Sequence, residues 1–425
     1  MTHSSRSATP TGRRTPGTTE PVAELTPAQL PEAIDRALAG ESILLLPTSR
    51  TGAIAEADPA LWRGDGPSPA LILHTSGSTG TARAVALSAE ALTTSARATE
   101  RFLSGPGRWY LTLPVNHIAG FQVEMRARLA GEDPVRSTAA SFTAANFAED
   151  VRALVARGDE RPRYTSLVPT QLHRILADPA ATSAAADFTA ILLGGSAISP
   201  ALLEGAEAAG LKIVRTYGMS ETAGGCVYDG LPFDGVEVSI TEAGTIDLSG
   251  PVVADAYVSI ADDGSITPID SPALVGTGAG RTIRTSDLGR IDNGVLSVLG
   301  RVDDVIVSGG ENVSPHALES VLLPAWQDHG IAEVLVTSVP DAEWGQRIVA
   351  LVRLGEGATD AVRDRTDSPT GLGELLRGLV PPDTAGMLPR EVLVVDEIPV
   401  RSIGKPDRRQ AAEVARALLQ MLTEP

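Results

Sequence analysis

A short apolar run followed by hydroxyl groups and glycines decides how this sequence is interpreted. Residues 70–80 read Ala-Leu-Ile-Leu-His-Thr-Ser-Gly-Ser-Thr-Gly. The apolar half is typical of a buried strand. Glycines after a strand let backbone N–H groups turn toward an anion, and hydroxyl groups add further donors. The pattern suits a polyphosphate-binding loop, but taken alone it is explained more simply by a flexible surface loop of the same composition. The residues concerned are Thr75, Ser76, Gly77, Ser78, Thr79 and Gly80.

The segments on either side of this run alternate between helix and strand patterns. Their spacing predicts an α/β domain with largely parallel sheets. Ser88 is a candidate N-cap for a helix that reaches residue 102, and Ser199-Pro200 opens another helix that stops at Gly210. The other predicted elements are a helix over 26–39 and strands over 42–46, 109–113, 190–193 and 212–215.

The pattern changes after residue 235. Short strands between Gly, Asp and Asn turns predict a β-rich subdomain, with strands over 236–240, 245–248 and 295–298. Beyond residue 301 the pattern is mixed again and predicts a small α+β domain. Its expected elements are a helix from 314, strands over 333–337, 348–352 and 391–395, a polar loop over 355–370 and a closing helix over 407–422. We therefore expect a disordered tail over 1–21, a large N-terminal domain over 22–301 and a C-terminal domain over 302–425.

Composition excludes several classes of function. The 425 residues include 35 Lys and Arg against 53 Asp and Glu, a net charge of −18, which argues against nucleic acid or an anionic membrane as the main partner. A single cysteine, Cys226, excludes an internal disulfide framework and a cysteine zinc cluster. No apolar run is long enough to predict a membrane span, and the first residues lack the apolar core of a secretory signal. We therefore expect a cytoplasmic protein, and a homodimer is one assembly that the sequence leaves open.

Lysine occurs only at Lys212 and Lys405, whereas the other basic residues are arginines. Codon bias is the simplest cause of this scarcity. A lysine is nevertheless a compact charge on a flexible stem, unlike the planar guanidinium of arginine. Lys405 follows Gly404, which would let it reach into a cleft, although an exposed loop before a helix explains the same residues.

A second motif, Tyr217-Gly218-Met219-Ser220-Glu221-Thr222, follows the predicted strand over 212–215. Ligands of parallel sheets gather at the carboxyl ends of strands. Tyr217 could stack on a purine, Glu221 could hold Mg²⁺ and Thr222 could bond a phosphate. Taken alone, the motif is explained more simply by a strand-ending turn with a partly buried tyrosine.

Acidic and basic residues follow in a third motif. Asp287 suits a ribose diol, and Arg301 suits phosphate or ribose oxygens, although turn chemistry is the simpler explanation for the aspartate. His117 lies just past a predicted strand, where ligand contact and packing are both open. The spacing of the histidines does not predict a zinc site, and Ser196 and Ser220 lack the second glycine of a nucleophile elbow.

The order of these motifs along the chain resembles the adenylate-forming superfamily, that is, acyl-CoA synthetases and related adenylation domains. The likeness extends from about residue 25 to the C-terminus. The short region ahead of Thr75 and residues 113–120 resemble the o-succinylbenzoate–CoA ligases of menaquinone synthesis. The likeness implies that a carboxylic acid reacts with MgATP to give an acyl-adenylate and pyrophosphate, and that coenzyme A then displaces AMP. Alternatives are another aryl or short-chain acyl-CoA ligase, a carrier-loading adenylation domain and a non-catalytic nucleotide-binding relative.

The resemblance also implies roles for particular residues. Lys405 would bridge the carboxylate and the α-phosphate, Glu221 would hold Mg²⁺, and Asp303 would be the hinge of the C-terminal domain. Two arginines depart from the usual motifs: Arg83 stands in a loop that usually continues Pro-Lys-Gly, and Arg401 replaces a threonine. The remaining implied contacts are Tyr217, Gly218 and Met219 beside adenine, Asp287 and Arg301 on the ribose, Arg83 toward pyrophosphate, Gly194, Gly195 and Ser196 lining the adenine and acyl pockets, Gly309 and Gly310 along pantetheine, and His117 and Gln122 facing the acyl group.

Overall fold

The computed structural model describes residues 23–47, 52–75, 83–137, 139, 141–158, 160–355, 357–380, 388–400 and 406–423. Its strands are β1 (Ala23–Leu25), β2 (Ile43–Leu45), β3 (Ile54–Ala57), β4 (Leu71–Thr75), β5 (Arg83–Leu87), β6 (Arg108–Leu111), β7 (Val135–Arg136), β8 (Arg163–Leu167), β9 (Ala190–Leu193), β10 (Ile213–Met219), β11 (Gly224–Tyr228), β12 (Leu231–Pro232), β13 (Glu237–Ile240), β14 (Thr245–Ser249), β15 (Ala256–Ile260), β16 (Ile266–Ile269), β17 (Leu274–Val275), β18 (Thr282–Asp292), β19 (Val295–Arg301), β20 (Ile306–Ser308), β21 (Glu311–Val313), β22 (Ile331–Asp341), β23 (Gly345–Leu354) and β24 (Glu391–Val394).

The helices are α1 (Leu30–Leu38), α2 (Ala89–Phe102), α3 (Ile118–Leu129), α4 (Ala144–Val155), α5 (Pro169–Leu176), α6 (Pro179–Ala185), α7 (Pro200–Ala208), α8 (Pro315–Gln327), α9 (Asp360–Arg363), α10 (Pro369–Arg377) and α11 (Arg408–Thr423). The predicted cap of α2 is confirmed, because the Ser88 hydroxyl accepts a hydrogen bond from the Ala91 N–H at 3.3 Å. Ser314 caps α8 in the same way at Ala317. The prediction of a polar loop over 355–370 is wrong in one respect, because α9 forms within that range.

Three sheets meet in the larger part of the chain. The first has the order β1-β3-β2-β4-β5-β15-β16, the second β12-β11-β10-β9-β8-β6-β7, and the third β13-β14-β18-β17 with β19 beside β18. The second sheet is parallel from β10 to β7, as the sequence predicts. The first sheet corrects that prediction, because only β2 and β4 pair in parallel. The predicted β-rich subdomain is also narrower than expected, since β15 and β16 extend the first sheet.

Separate apolar cores hold these layers together. One core packs α1, α2 and α3 against the first sheet, and a second lies between the second and third sheets. A third packs α4 to α7 on the second sheet. The C-terminal part has its own cores around the sheet β21-β20-β23-β22, with β24 beside β23, covered by α8, α10 and α11. The predicted fold class, a large α/β part with a β-rich subdomain and a small α+β part, is confirmed. No helix of the described residues is both long and apolar enough to cross a membrane.

Because the cores are separate, the two parts of the chain should lose stability independently. Leu322 in α8 and Leu172 in α5 are both fully buried. We expect Leu322→Ala to lower the free energy of unfolding of the C-terminal part by about 2–5 kcal/mol, because the truncation leaves a cavity. Hydrogen exchange should then lose protection in β22 and β23 while β8 and β9 stay protected. Leu172→Ala is the matched control and should give the reverse pattern; equal loss across both parts would contradict separate cores.

Candidate active site

The site begins where β10 of the second sheet ends. The prediction placed Tyr217 just past a strand, but β10 continues to Met219, so Tyr217 lies within it. A bulge between Tyr217 and Gly218 shifts the register against β11. A Cβ atom at Gly218 would lie 2.2 Å from the Gly224 carbonyl oxygen, so only glycine permits this close approach.

Glu221 lies in a tight turn, Ser220–Thr222, directly after β10. The next residue, Ala223, is fully buried with a left-handed backbone at φ 50°, a conformation that is costly without a glycine. Its carbonyl oxygen accepts hydrogen bonds from the Ser95 hydroxyl at 3.0 Å and from the Gln122 amide at 2.8 Å. These bonds from α2 and α3 stabilise the strained turn.

Thr222 and Gln122 both contact the backbone of this turn, and their expected contacts with a phosphate and with the acyl group stay predictions. The Thr222 side chain is fully buried, and its hydroxyl donates to the Gly224 carbonyl at 2.7 Å and accepts from the Met219 N–H at 2.9 Å. It closes the turn in this structure, and its contact with a phosphate stays a prediction. Gln122 is also fully buried, and it supports the turn through the Ala223 carbonyl.

Asp287 is held between a tyrosine and an arginine. The Tyr217 hydroxyl donates to one carboxylate oxygen and the Arg301 guanidinium to the other, each at 2.7 Å. Arg301 also donates to Asp303 at 3.1 Å. Burial, and then the charge of Asp287, raise the pKa of Tyr217, so its hydroxyl stays protonated. Four residues of the predicted nucleotide site are thus brought into direct contact.

Glu221 is held by a residue that sequence reasoning missed. The Tyr257 hydroxyl on β15 donates to Glu221 Oε1 at 2.9 Å, and the Ala254 N–H donates to the Glu221 backbone carbonyl at 2.8 Å. Tyr257 occurs in an apolar strand and looks like a packing residue. Its position depends on the long-range pairing of β15 with β5, for which the local sequence has no signal.

The glycine-rich loop joins β4 to β5. Thr75 pairs with Arg83 across this hairpin, and its hydroxyl donates to the Arg83 carbonyl at 3.4 Å. The guanidinium carbon of Arg83 lies 5.6 Å from the centre of the Tyr257 ring. Ser76, Gly77, Ser78, Thr79 and Gly80 lie outside the described residues. The ends of the loop therefore lie close to Glu221, with Tyr257 between them.

Lys405 also lies outside the described residues, but the chain on either side of it is well anchored. Val400 and Pro406 form an isolated β-bridge. Arg408 at the start of α11 donates to Glu319 Oε2 and to the Val336 carbonyl, each at 2.8 Å, and its Nε atom lies 3.5 Å from Asp304. This arginine ties the segment after the lysine to α8, β22 and the turn Val302–Asp304.

The remaining predicted residues lie on other strand ends, turns and helix starts. Gly309 and Gly310, at φ 59° and 86°, form the tip of the β20–β21 hairpin, where a two-residue turn needs positive φ at both positions. Gly195 is exposed at φ 86° and Ser196 is half-buried after β9, while half-buried His117 precedes α3. Lys212 is exposed, and Cys226 is fully buried, as expected of a packing residue; burial raises the pKa of its thiol to about 12.

Comparison with known proteins assigns the family. Residues 20–275 match the AMP-binding enzyme family, and residues 318–405 match its C-terminal domain. The chain belongs to the AMP-binding enzyme family. A probable 2-succinylbenzoate–CoA ligase of Mycobacterium tuberculosis is 39% identical over 343 residues, which cover 80% of this chain and 82% of that protein. A 2-succinylbenzoate–CoA ligase of Listeria monocytogenes is 30% identical over 359 residues, with coverage of 81% and 70%.

A solved structure supports the same family. The o-succinylbenzoate CoA synthetase of Bacillus subtilis, in complex with its acyl-adenylate intermediate, has 26% identity and a TM-score of 0.62 over 81% of this chain and 69% of that one. Together with the family match, these relatives identify the protein as an AMP-forming acyl-CoA ligase, a class of enzyme whose substrates include ATP and coenzyme A.

The donor set at Glu221 fits a magnesium ion that arrives with a nucleotide. Among the described residues, no three His, Cys, Asp or Glu side chains are grouped so that they could hold a metal by themselves. Magnesium in nucleotide enzymes commonly takes one or two carboxylates, with phosphates and water completing its shell. A single carboxylate held by Tyr257 and close to the ends of the glycine-rich loop matches that pattern.

The close approach at Gly218 makes a direct test of this geometry. We expect Gly218→Ala to push Tyr217 and the Glu221 turn apart, because the new methyl group would meet backbone atoms of Gly224. ATP affinity, measured by calorimetry, should fall at least tenfold. Gly205→Ala in α7 is the control: its nearest contact is a Leu176 methyl group at 3.5 Å, and it should stabilise the helix by about 0.5–1 kcal/mol. Unchanged ATP affinity in Gly218→Ala would contradict this role for the bulge.

Proposed function

We propose that the protein joins o-succinylbenzoate to coenzyme A at the expense of ATP, through an o-succinylbenzoyl-adenylate, in menaquinone biosynthesis. The observation that carries the chemistry is the convergence of Asp287, with its tyrosine and arginine partners, and Glu221 on one strand end. The 39% identity with a probable 2-succinylbenzoate–CoA ligase supports the choice of acid. The reaction would take place in the cytoplasm, where ATP and coenzyme A are available.

Asp287 and Arg301 would bind the ribose, with adenine against Tyr217, Gly218 and Met219. A carboxylate that already accepts two hydrogen bonds is fixed in direction, so it can select a diol without reorganising. Gly195 and Ser196 would border the adenine and acyl pockets, and His117 would face the acid.

Magnesium would bind at Glu221 and lower the negative charge of the phosphates that the acid must approach. The chain's own contribution is to hold the Glu221 carboxylate in place through Tyr257 and to present Arg83 and the glycine-rich loop to the leaving pyrophosphate. Thr222, which closes the turn, would reach a phosphate only after its hydroxyl leaves a backbone partner.

Lys405 would bridge the attacking carboxylate and the α-phosphate. Two anions repel each other, and a positive charge placed between them stabilises the transition state more than the separated reactants. A compact ammonium group can touch both partners from one position, which explains a lysine in a chain whose other cations are nearly all arginines.

The two half-reactions would use different positions of the C-terminal part. We propose a domain boundary at Arg301, with Asp303 as the hinge, because Arg301 links Asp287 to Asp303. Asp303 itself lies in the turn Val302–Asp304, which leads into the C-terminal cores. Rotation there would withdraw Lys405 and bring Gly309 and Gly310 to the pantetheine arm of coenzyme A. Assembly as a homodimer stays a prediction.

A panel of acids tests the proposed substrate. Pyrophosphate release would be measured with o-succinylbenzoate, benzoate, arylacetates and short-chain acids, each with ATP and coenzyme A. We expect kcat/KM for o-succinylbenzoate to exceed the others by about 100-fold or more, since a site that pairs a second polar group rejects acids that lack it. If an arylacetate or a short-chain acid had the higher kcat/KM, that acid would be the substrate in place of o-succinylbenzoate. No acid-dependent cleavage of ATP with any acid would favour the non-catalytic alternative.

Lys405→Ala separates the half-reactions. We expect adenylation to fall by about two to three orders of magnitude, as when one electrostatic donor is removed, because the charge between the two anions is lost. Thioester formation from supplied acyl-adenylate should change little. Lys212→Ala removes the other, exposed lysine and should leave both steps unchanged. Equal loss of both half-reactions in Lys405→Ala would contradict the bridging role.

A further inference from the structure

Tyr257 contacts two oppositely charged groups of the site through different parts of its side chain. The hydroxyl donates to Glu221 Oε1 at 2.9 Å, and the ring lies 5.6 Å from the guanidinium carbon of Arg83. The residue is 5% exposed, so its contacts are fixed by packing rather than sampled in solvent. A buried tyrosine hydroxyl needs a hydrogen-bond partner, and here that partner is the Glu221 carboxylate.

The surrounding backbone keeps Tyr257 in this position. On β15, Tyr257 pairs with Val85 of β5, the strand that begins at Arg83. The Ala254 N–H, just before β15, donates to the Glu221 backbone carbonyl at 2.8 Å. One short segment therefore holds Glu221 by its backbone and its carboxylate, and is bound to the strand that carries Arg83.

The hydroxyl is well suited to act as a donor. A tyrosine hydroxyl has an ordinary pKa of about 10, well above neutral pH. The phenol consequently stays protonated at neutral pH and directs its hydrogen toward Oε1. Partners of this kind behind a metal-binding side chain fix its orientation.

We propose that Tyr257 is a positioning residue that sets Glu221 for the magnesium ion and Arg83 for the phosphates of the same nucleotide. The proposal rests on the proposed function, since it assumes that Glu221 holds the metal. The two contacts can be removed separately, because the hydroxyl binds the Glu221 carboxylate and the ring lies against the Arg83 guanidinium. Tyr257→Phe removes the first contact alone, and Tyr257→Leu removes both.

The direct measurement is the affinity of Mn²⁺, used as a spectroscopic probe, for the complex of the full chain with a non-hydrolysable ATP analogue. Electron paramagnetic resonance reports the free ion. We expect Tyr257→Phe to weaken Mn²⁺ binding by about 10–100-fold, as loss of an orienting partner does at other metal sites. Binding of the analogue in EDTA, measured by calorimetry, should stay within about twofold for Tyr257→Phe and weaken about fivefold for Tyr257→Leu, since loss of a cation–π contact is worth about 1 kcal/mol.

A matched control exists elsewhere in the chain. Tyr110 donates its hydroxyl to Asp150 at 2.7 Å, the same kind of bond outside the nucleotide cluster. Tyr110→Phe should leave both affinities unchanged, and thermal unfolding would confirm that each variant is folded. In a Glu221→Gln background, Tyr257→Phe should have no further effect on Mn²⁺ affinity, because the residue acts through that carboxylate. With rising magnesium, kcat of Tyr257→Phe should recover toward wild type while half-saturation by the metal stays raised.

The outcomes separate the two proposals. If wild-type protein shows no metal-dependent binding of the analogue, the proposed function fails. Suppose that wild type binds Mn²⁺ with the analogue. If Tyr257→Phe then has the same Mn²⁺ affinity as wild type and Tyr110→Phe, the positioning role is overturned. The role is also overturned if Tyr257→Phe lowers Mn²⁺ affinity equally with and without Glu221→Gln, since the substitution would then act independently of the Glu221 carboxylate.

Discussion

Two carboxylates lie around the end of β10, where we propose that the nucleotide binds, and each is held by a hydrogen bond from a tyrosine. Tyr217 holds Asp287 at 2.7 Å and Tyr257 holds Glu221 at 2.9 Å. Tyr217 is half-buried and Tyr257 is buried. Both keep their protons because burial and the adjacent negative charge raise their pKa. Carboxylates fixed in this way have direction before any ligand arrives, so one can select a diol and the other a metal. The rest of the fold brings these pairs together.

The pairs come from three sheets that meet at one point. Tyr217 belongs to the second sheet, Asp287 to the third and Tyr257 to the first. The turn that carries Glu221 is strained at Ala223, and side chains from two helices offset that strain by binding its carbonyl. Such strain at a functional turn persists only where the surroundings hold it firmly.

Local sequence predicted the elements that depend on local forces. Ser88 caps α2 as expected, and the apolar run of β9 was predicted to the residue. The order of motifs predicted the family, whereas the contacts of Asp287 with Tyr217 and Arg301 come from the structure. The antiparallel first sheet was not predicted, because β15 joins β5 from far along the chain. Tyr257 was missed for the same reason: only this long-range pairing distinguishes it from a core tyrosine.

The central claim is that the nucleotide binds at the end of β10, against the two tyrosine-held carboxylates. A crystal structure of the full chain with an unreactive acyl-adenylate analogue tests it most directly. The account predicts ribose hydroxyl groups within about 3 Å of the Asp287 carboxylate and the adenine ring beside Tyr217. An analogue bound elsewhere, with Asp287 still held by Tyr217 and Arg301 alone, would contradict it.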